Sequence, residues 1–204
     1  MILAIDFTAS NGNPKYNNSL HYMDPNKPNQ YQMAIESVGQ ILLNYDSDKK
    51  IPAFGFGANL KFPQMQSSTA SHCFPLSGNV ENVDSFGLEH LMQLYMNALK
   101  SVELSGPTYF GPLIEETAKL AYECKKSQQY VYQTLLILTD GEIHDMEKTI
   151  DLIVSATELP LSIIIVGVGE ADFTNMNRLD GDNGLFNTKG QKARRDIVQF
   201  VPFR

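Results

Sequence analysis

Residues 2–12 read Ile2-Leu3-Ala4-Ile5-Asp6-Phe7-Thr8-Ala9-Ser10-Asn11-Gly12. An apolar run stops abruptly at Asp6, two hydroxyl side chains follow at every second position, and Asn-Gly marks a turn. The four apolar residues are continuous rather than alternating, which is the pattern of a strand buried on both faces, as in a parallel sheet. None of Asp6, Thr8 and Ser10 strengthens a core. All three offer oxygen.

Three later runs share the pattern: Ile51–Gly57, Thr134–Thr139 and Leu161–Val168. Helical periods lie between them. Tyr31, Ile35, Val38, Leu42 and Tyr45 repeat at three to four residues, behind an Asn29 cap with Gln32 three positions on. Leu88, Leu91, Tyr95, Leu99 and Val102 form a second stripe. Leu113, Thr117, Leu120 and Ala121 form a weaker third. Met146, Ile150, Ile153 and Thr157 form a fourth, with Asp145 as its cap. Strands alternating with helices predict an α/β fold: a doubly wound, mostly parallel sheet with helices on both faces. Residues 61–82, rich in Ser, Pro, Gln and Asn, read as loop around at most one short edge strand near Ser71–Leu76. Residues 179–195 read as loop, and a last strand is expected just before Arg204.

The 204 residues suit one domain, and 43% hydrophobic content supplies a core. A net charge of −7 repels phosphate backbones, so nucleic acid is not an expected partner. Cys73 and Cys124 have neither metal-ligand spacing nor a disulfide framework, and they fit a reducing compartment. The start lacks a signal peptide's basic flank and cleavage site, and the chain reads as a domain cut from a longer protein.

In open α/β sheets, ligands bind beyond the carboxyl ends of the strands, where the winding reverses. The first strand delivers Asp6, Thr8 and Ser10 there. The strand over 134–139 delivers Thr139, Asp140 and Gly141, and the Ser105-Gly-Pro-Thr108 loop adds a hydroxyl. Each piece alone is commonly a turn former or a cap. Together they form a hard-oxygen set suited to magnesium or manganese, which take about six oxygens. With neutral hydroxyls as direct ligands, the ion keeps an appetite for one more carboxylate from outside.

Other motifs are missing. The chain has no phosphate-binding G-x-x-x-x-G-K-[ST] loop, no G-x-S-x-G elbow and no kinase signature. Gly55-Phe-Gly57 and Gly167-Val-Gly169 lack the third glycine of a dinucleotide fingerprint and read as tight strand ends. His144 lies close to the rim, where a base role competes with that of a solvated loop histidine. His21, His72 and His90 have no zinc spacing. Asp180-Gly-Asp-Asn-Gly184 reads as a turn, not a calcium loop, and Lys192–Arg195 as a solvated basic cluster.

Asp6-Phe-Thr-Ala-Ser10, Thr108 and Thr139-Asp140-Gly141 resemble the metal-ion-dependent adhesion site of von Willebrand factor A domains, a D-x-S-x-S pattern with a distant threonine and aspartate. Here threonine takes the second place. Ser19-Leu-His-Tyr22, Ala53-Phe-Gly-Phe-Gly-Ala58, Leu136-Ile-Leu-Thr-Asp-Gly141, Ile164-Ile-Val-Gly-Val-Gly169, Leu179-Asp-Gly-Asp182 and Arg195-Asp-Ile-Val-Gln-Phe-Val-Pro-Phe-Arg204 narrow the resemblance to the copine A domain, end to end.

That resemblance implies one antiparallel edge strand. It implies direct metal ligation by Thr8, Ser10 and Thr108, and ligation through water by Asp6 and Asp140. It also implies a cytoplasmic, non-catalytic protein-binding module. Calcium-dependent recruitment to phospholipid membranes would belong to C2 domains absent from this chain. Two alternatives stand beside it. One is the substrate-binding A domain of a copine-like RING ubiquitin ligase. The other is a magnesium-dependent phosphoryl-transfer enzyme of the D-x-D type, in which Thr8 occupies the place of the acid.

Overall fold

The computed structural model describes residues 1–43, 49–127, 131–181 and 184–203. Its elements in chain order are β1 (Ile2–Asp6), α1 (Gln30–Leu43), β2 (Lys50–Phe56), β3 (Ala58–Phe62), β4 (Met65–Gln66), β5 (Phe74–Pro75) and β6 (Asp84–Phe86). There follow α2 (Gly87–Lys100), β7 (Val102–Leu104), α3 (Gly111–Lys126), β8 (Gln133–Thr139), α4 (Met146–Ala156), β9 (Leu161–Gly167), α5 (Thr174–Asp180) and β10 (Val198–Pro202).

The main sheet runs β10-β9-β8-β1-β2-β5, with β6 also pairing β2. Every pairing from β10 across to β2 is parallel, and β5 and β6 are antiparallel to β2. From β1 the chain winds outward to β2, then returns to β8 on the other side of β1. The winding therefore reverses between β1 and β8.

The unbroken apolar runs are explained by burial on two faces. Ile2, Ala4, Leu135 and Ile137 point into a core shared with α3, α4 and α5. Leu3, Ile5, Leu136 and Leu138 point into a core shared with α1 and α2. Asn29 and Gln32 cap α1 reciprocally, each backbone N–H donating to the other's side-chain oxygen at 2.8 Å. From the first stripe, Tyr31 and Ile35 are buried. The side chain of Leu42 and all of Tyr45 lie outside the described residues, as do Asp182 and Asn183 of the expected turn.

Several expectations are corrected. A second sheet, β4-β3-β7, is built from residues 58–60, which no expected element covered, from the start of the stretch read as loop and from the end of the second helical stripe. Val102 lies in β7, where it pairs with Leu60, and not in α2. Leu120 is exposed, so the third stripe narrows to Leu113, Thr117 and Ala121. α5 begins ahead of the stretch read as loop. The Asp145 side chain does not cap its own helix, although its carbonyl accepts the Thr149 N–H at 2.8 Å. Its carboxylate instead accepts the backbone N–H groups of Phe110 (3.0 Å) and Gly111 (2.8 Å), closing the start of α3. Arg195 is not a solvated charge: its guanidinium donates to the carbonyls of Thr157, Leu159 and Leu161 and to the Tyr132 hydroxyl, fastening the end of α4 to β9.

β10 is the outer strand. Its bonds toward β9 involve Ile197 O and Phe203 N, so Val198, Phe200 and Pro202 turn their backbones outward. The outward N–H of Val198 donates to Asp196 Oδ1 and that of Phe200 to Asp180 Oδ1, both at 3.1 Å, and Pro202 has no N–H.

Candidate metal centre

β1 and β8 are neighbours in register, with Ile5 beside Leu138, so their carboxyl ends emerge together at the reversal of winding. Asp6 ends β1 fully buried, and Asp140 follows β8 nearly so. Asp6 Oδ1 accepts the Thr8 N–H at 2.8 Å and the Thr8 hydroxyl at 2.6 Å. Asp6 Oδ2 accepts the Thr139 hydroxyl at 2.7 Å. Ser10 Oγ lies 3.0 Å from Thr8 Oγ1, and the Ser10 hydroxyl acts to lower the Asp140 carboxyl. Asp140 Oδ1 accepts the Glu142 N–H at 3.3 Å.

The third piece arrives on the loop after β7. Ala9 N–H donates to Ser105 O at 2.6 Å, and Ser105 N–H to Gly57 O at 3.0 Å. A cis Gly106–Pro107 bond follows, then buried Thr108. Thr108 and His144 pair twice. The Thr108 N–H donates to His144 Nδ1 at 3.1 Å, and the His144 N–H donates to Thr108 O at 2.9 Å. Thr8, Ser10, Thr108, Glu142 and His144 line one depression of about 480 Å³. The structure therefore brings all five sequence-predicted residues to one end of the sheet: Asp6 from the end of β1, Thr8 and Ser10 from the turn after it, Thr108 from the loop, and Asp140 from just past β8.

Burial and the nearby Asp140 charge push the Asp6 carboxyl up to about 7. Asp140 is raised as well, chiefly by burial. None of the described ion pairs involves either carboxylate. Among the described residues no three His, Cys, Asp or Glu side chains cluster as a metal cage. The donor set is instead two carboxylates with hydroxyls. Thr8 gives its proton to Asp6, so toward Asn11, Ser10 or a cation its oxygen acts as an acceptor. Hard oxygens and unneutralised negative charge fit a small divalent cation.

Behind this set stands a shell that sequence reasoning missed. Asn11 Nδ2 reaches Asp6 Oδ1 (3.3 Å), Thr8 O (3.2 Å) and Thr8 Oγ1 (3.3 Å). Asn11 Oδ1 accepts the Tyr31 hydroxyl at 2.7 Å. Buried His21 lies between Phe7 and Tyr31, with ring centroids 5.3 and 4.2 Å away. Its Nε2 meets the Asp6 carbonyl and its Nδ1 the Tyr95 hydroxyl, each at 2.8 Å. A carbonyl only accepts, so His21 is protonated at Nε2 and takes the Tyr95 proton at Nδ1. Thr139 was legible as a strand-end oxygen, and its role is to hold Asp6. For Asn11 the only local signal was its place at the end of the opening stretch.

A family model described as Copine matches residues 19–204. The chain belongs to the copine family. Protein BONZAI 2 of Arabidopsis thaliana is 49% identical over 207 residues, covering 100% of this chain and 34% of that protein. Protein BONZAI 1 of the same plant is 49% identical over 206 residues, covering 100% and 35%. The copine-family chain thus spans about a third of the length of these relatives. The family model starts beyond β1, but both BONZAI alignments include the Asp6–Ser10 stretch.

Among solved structures, manganese-loaded Plasmodium vivax TRAP protein aligns with a TM-score of 0.54 at 12% identity, over 99% of this chain and 67% of that one. The SpRpn10 VWA domain aligns with a TM-score of 0.55 at 12% identity, over 100% and 87%. This copine segment has the von Willebrand factor A fold. Among its described residues no helix is long and apolar enough to cross a membrane.

Proposed function

We propose that this copine segment is a non-catalytic, metal-dependent protein-binding module. Thr8, Ser10 and Thr108 would hold magnesium or manganese directly, and Asp6 and Asp140 through water. When bound, the cation supplies an electrophilic position open to a carboxylate from a partner protein. One observation carries the reading: two buried carboxylates that join none of the described ion pairs meet hydroxyls at the reversal of winding. In the whole protein, C2 domains in the portion outside this segment would bring the module from the cytoplasm to phospholipid when calcium rises.

Calorimetric titration of magnesium and manganese tests the centre; the manganese-loaded TRAP neighbour suggests the second ion. Saturation to about 100 times Kd should stabilise the chain by about 2.7 kcal/mol. The folded Asp6→Ala, Thr108→Ala double variant should lose both the heat and the stabilisation. A wild type as silent as this variant would remove the metal bridge. Partner capture that survived both EDTA and Asp6→Ala would remove metal dependence.

A further inference from the structure

We propose that His144 is a second anchor for the partner's carboxylate, a proposal that rests on the metal-dependent reading above. His144 is exposed and shares the depression with Thr8, Ser10 and Thr108. Its Nδ1 accepts the Thr108 N–H, and its own backbone N–H returns a bond to Thr108 O. A ring nitrogen that accepts carries no proton, so the neutral imidazole bears its hydrogen on Nε2. The ring is thus held through Nδ1, and Nε2–H is the donor that this lining residue has left to offer a ligand.

A carboxylate has two oxygens for two such points. One oxygen takes the outward position beside Thr8, Ser10 and Thr108, and the other takes the Nε2–H. An amide carbonyl has a single oxygen and engages one point at a time. Glu142 lines the same depression and joins Asp6 and Asp140 in making it negative. Without a cation the depression repels the group that it binds with one. His144 therefore selects for acidic groups, and the acidic rim makes their binding conditional on metal.

The test uses manganese and glutarate as probes. In the metal-free chain at about pH 8, nitrogen-15 NMR should place the neutral His144 proton on Nε2. His144→Asn keeps an oxygen able to accept the Thr108 N–H, while its amide donor falls at the place of the ring carbon and stops short of Nε2–H. Its manganese affinity, by calorimetry, should stay within about twofold of wild type, while glutarate affinity of the manganese-loaded chain falls about threefold to tenfold, the worth of one hydrogen bond. His144→Ala should weaken both, because Thr108 loses its support. A proton on Nδ1, or a His144→Asn variant that binds glutarate like wild type, overturns the proposal and leaves the metal reading intact. A wild type that binds manganese but no glutarate overturns this proposal together with the carboxylate-binding part of the proposed function.

Discussion

The carbonyl of Asp6 takes the Nε2–H of His21, and its carboxylate faces Asp140, so two buried ionisable side chains meet at one residue. Their effects on stability oppose each other. Asp6 is raised from 3.8 to about 7, so between those values the folded state keeps a proton that the unfolded state has lost. Its stabilising contribution is complete below the unfolded value and disappears as pH rises through the folded one. His21 is lowered from 6.5 to about 4 by burial, so the unfolded state holds the extra proton in that window. Its contribution is present above the unfolded value and lost as pH falls. In EDTA the two trends overlap and offset each other. Asp6→Asn removes one of them, and urea unfolding of that variant should show stability rising from about pH 4 to about pH 6.5 more steeply than in wild type. A variant with the wild-type profile would mean that Asp6 titrates as an ordinary carboxylate.

Gly57 acts at the same scale. Its φ is +81°, and a Cβ there would stand 2.1 Å from Thr8 Cγ2. Gly57→Ala must move Thr8 or the turn itself. It should therefore lower manganese affinity by at least about tenfold while leaving a folded chain, as judged by circular dichroism and calorimetry. Unchanged affinity would show that the Thr8 hydroxyl is not needed at the centre.

At the scale of elements, α3 is started by a residue that belongs to another helix. Asp145 accepts two of its first N–H groups, so Asp145→Ala should cost about 1–2 kcal/mol in urea unfolding. Asp172→Ala serves as a comparison, since that exposed carboxylate bonds only within its own turn, and it should cost less. Equal losses would deny that Asp145 links α3 to α4. This arrangement also shows what was legible beforehand. β1, β2, β8 and β9 were readable because burial on two faces leaves unbroken apolar runs. β3 carried a readable signal, with Ala58, Leu60 and Phe62 inward and Asn59 and Lys61 outward, but five residues beside a polar loop weighed little. β7 was concealed because Val102 continued the helical stripe of α2 by one step. At the site, Asp6, Thr8, Ser10, Thr108 and Asp140 could be listed because each falls at the end of an element. Tyr31, His21 and the true partners of Asp145 act across separations of 15 to 35 residues, and no local spacing encodes such contacts.

At the scale of the molecule, the sheet carries its chemistry at one end and a termination at one side. Along β10 the outward N–H groups are taken by Asp196 and Asp180, and proline removes the next. The strand can still accept hydrogen bonds there but has little left to donate, which is half of what a neighbouring strand requires. Asp180→Ala with Asp196→Ala should free two donors. We expect concentration-dependent self-association in sedimentation velocity, at concentrations where wild type stays monodisperse. If the pair of substitutions lowers stability without association, the two aspartates serve only as turns. For a segment that spans about a third of the length of its relatives, this edge has a practical meaning. Many copies gathered side by side on one surface could stand shoulder to shoulder without knitting into a fibre, and each would keep its acidic cleft free for a guest.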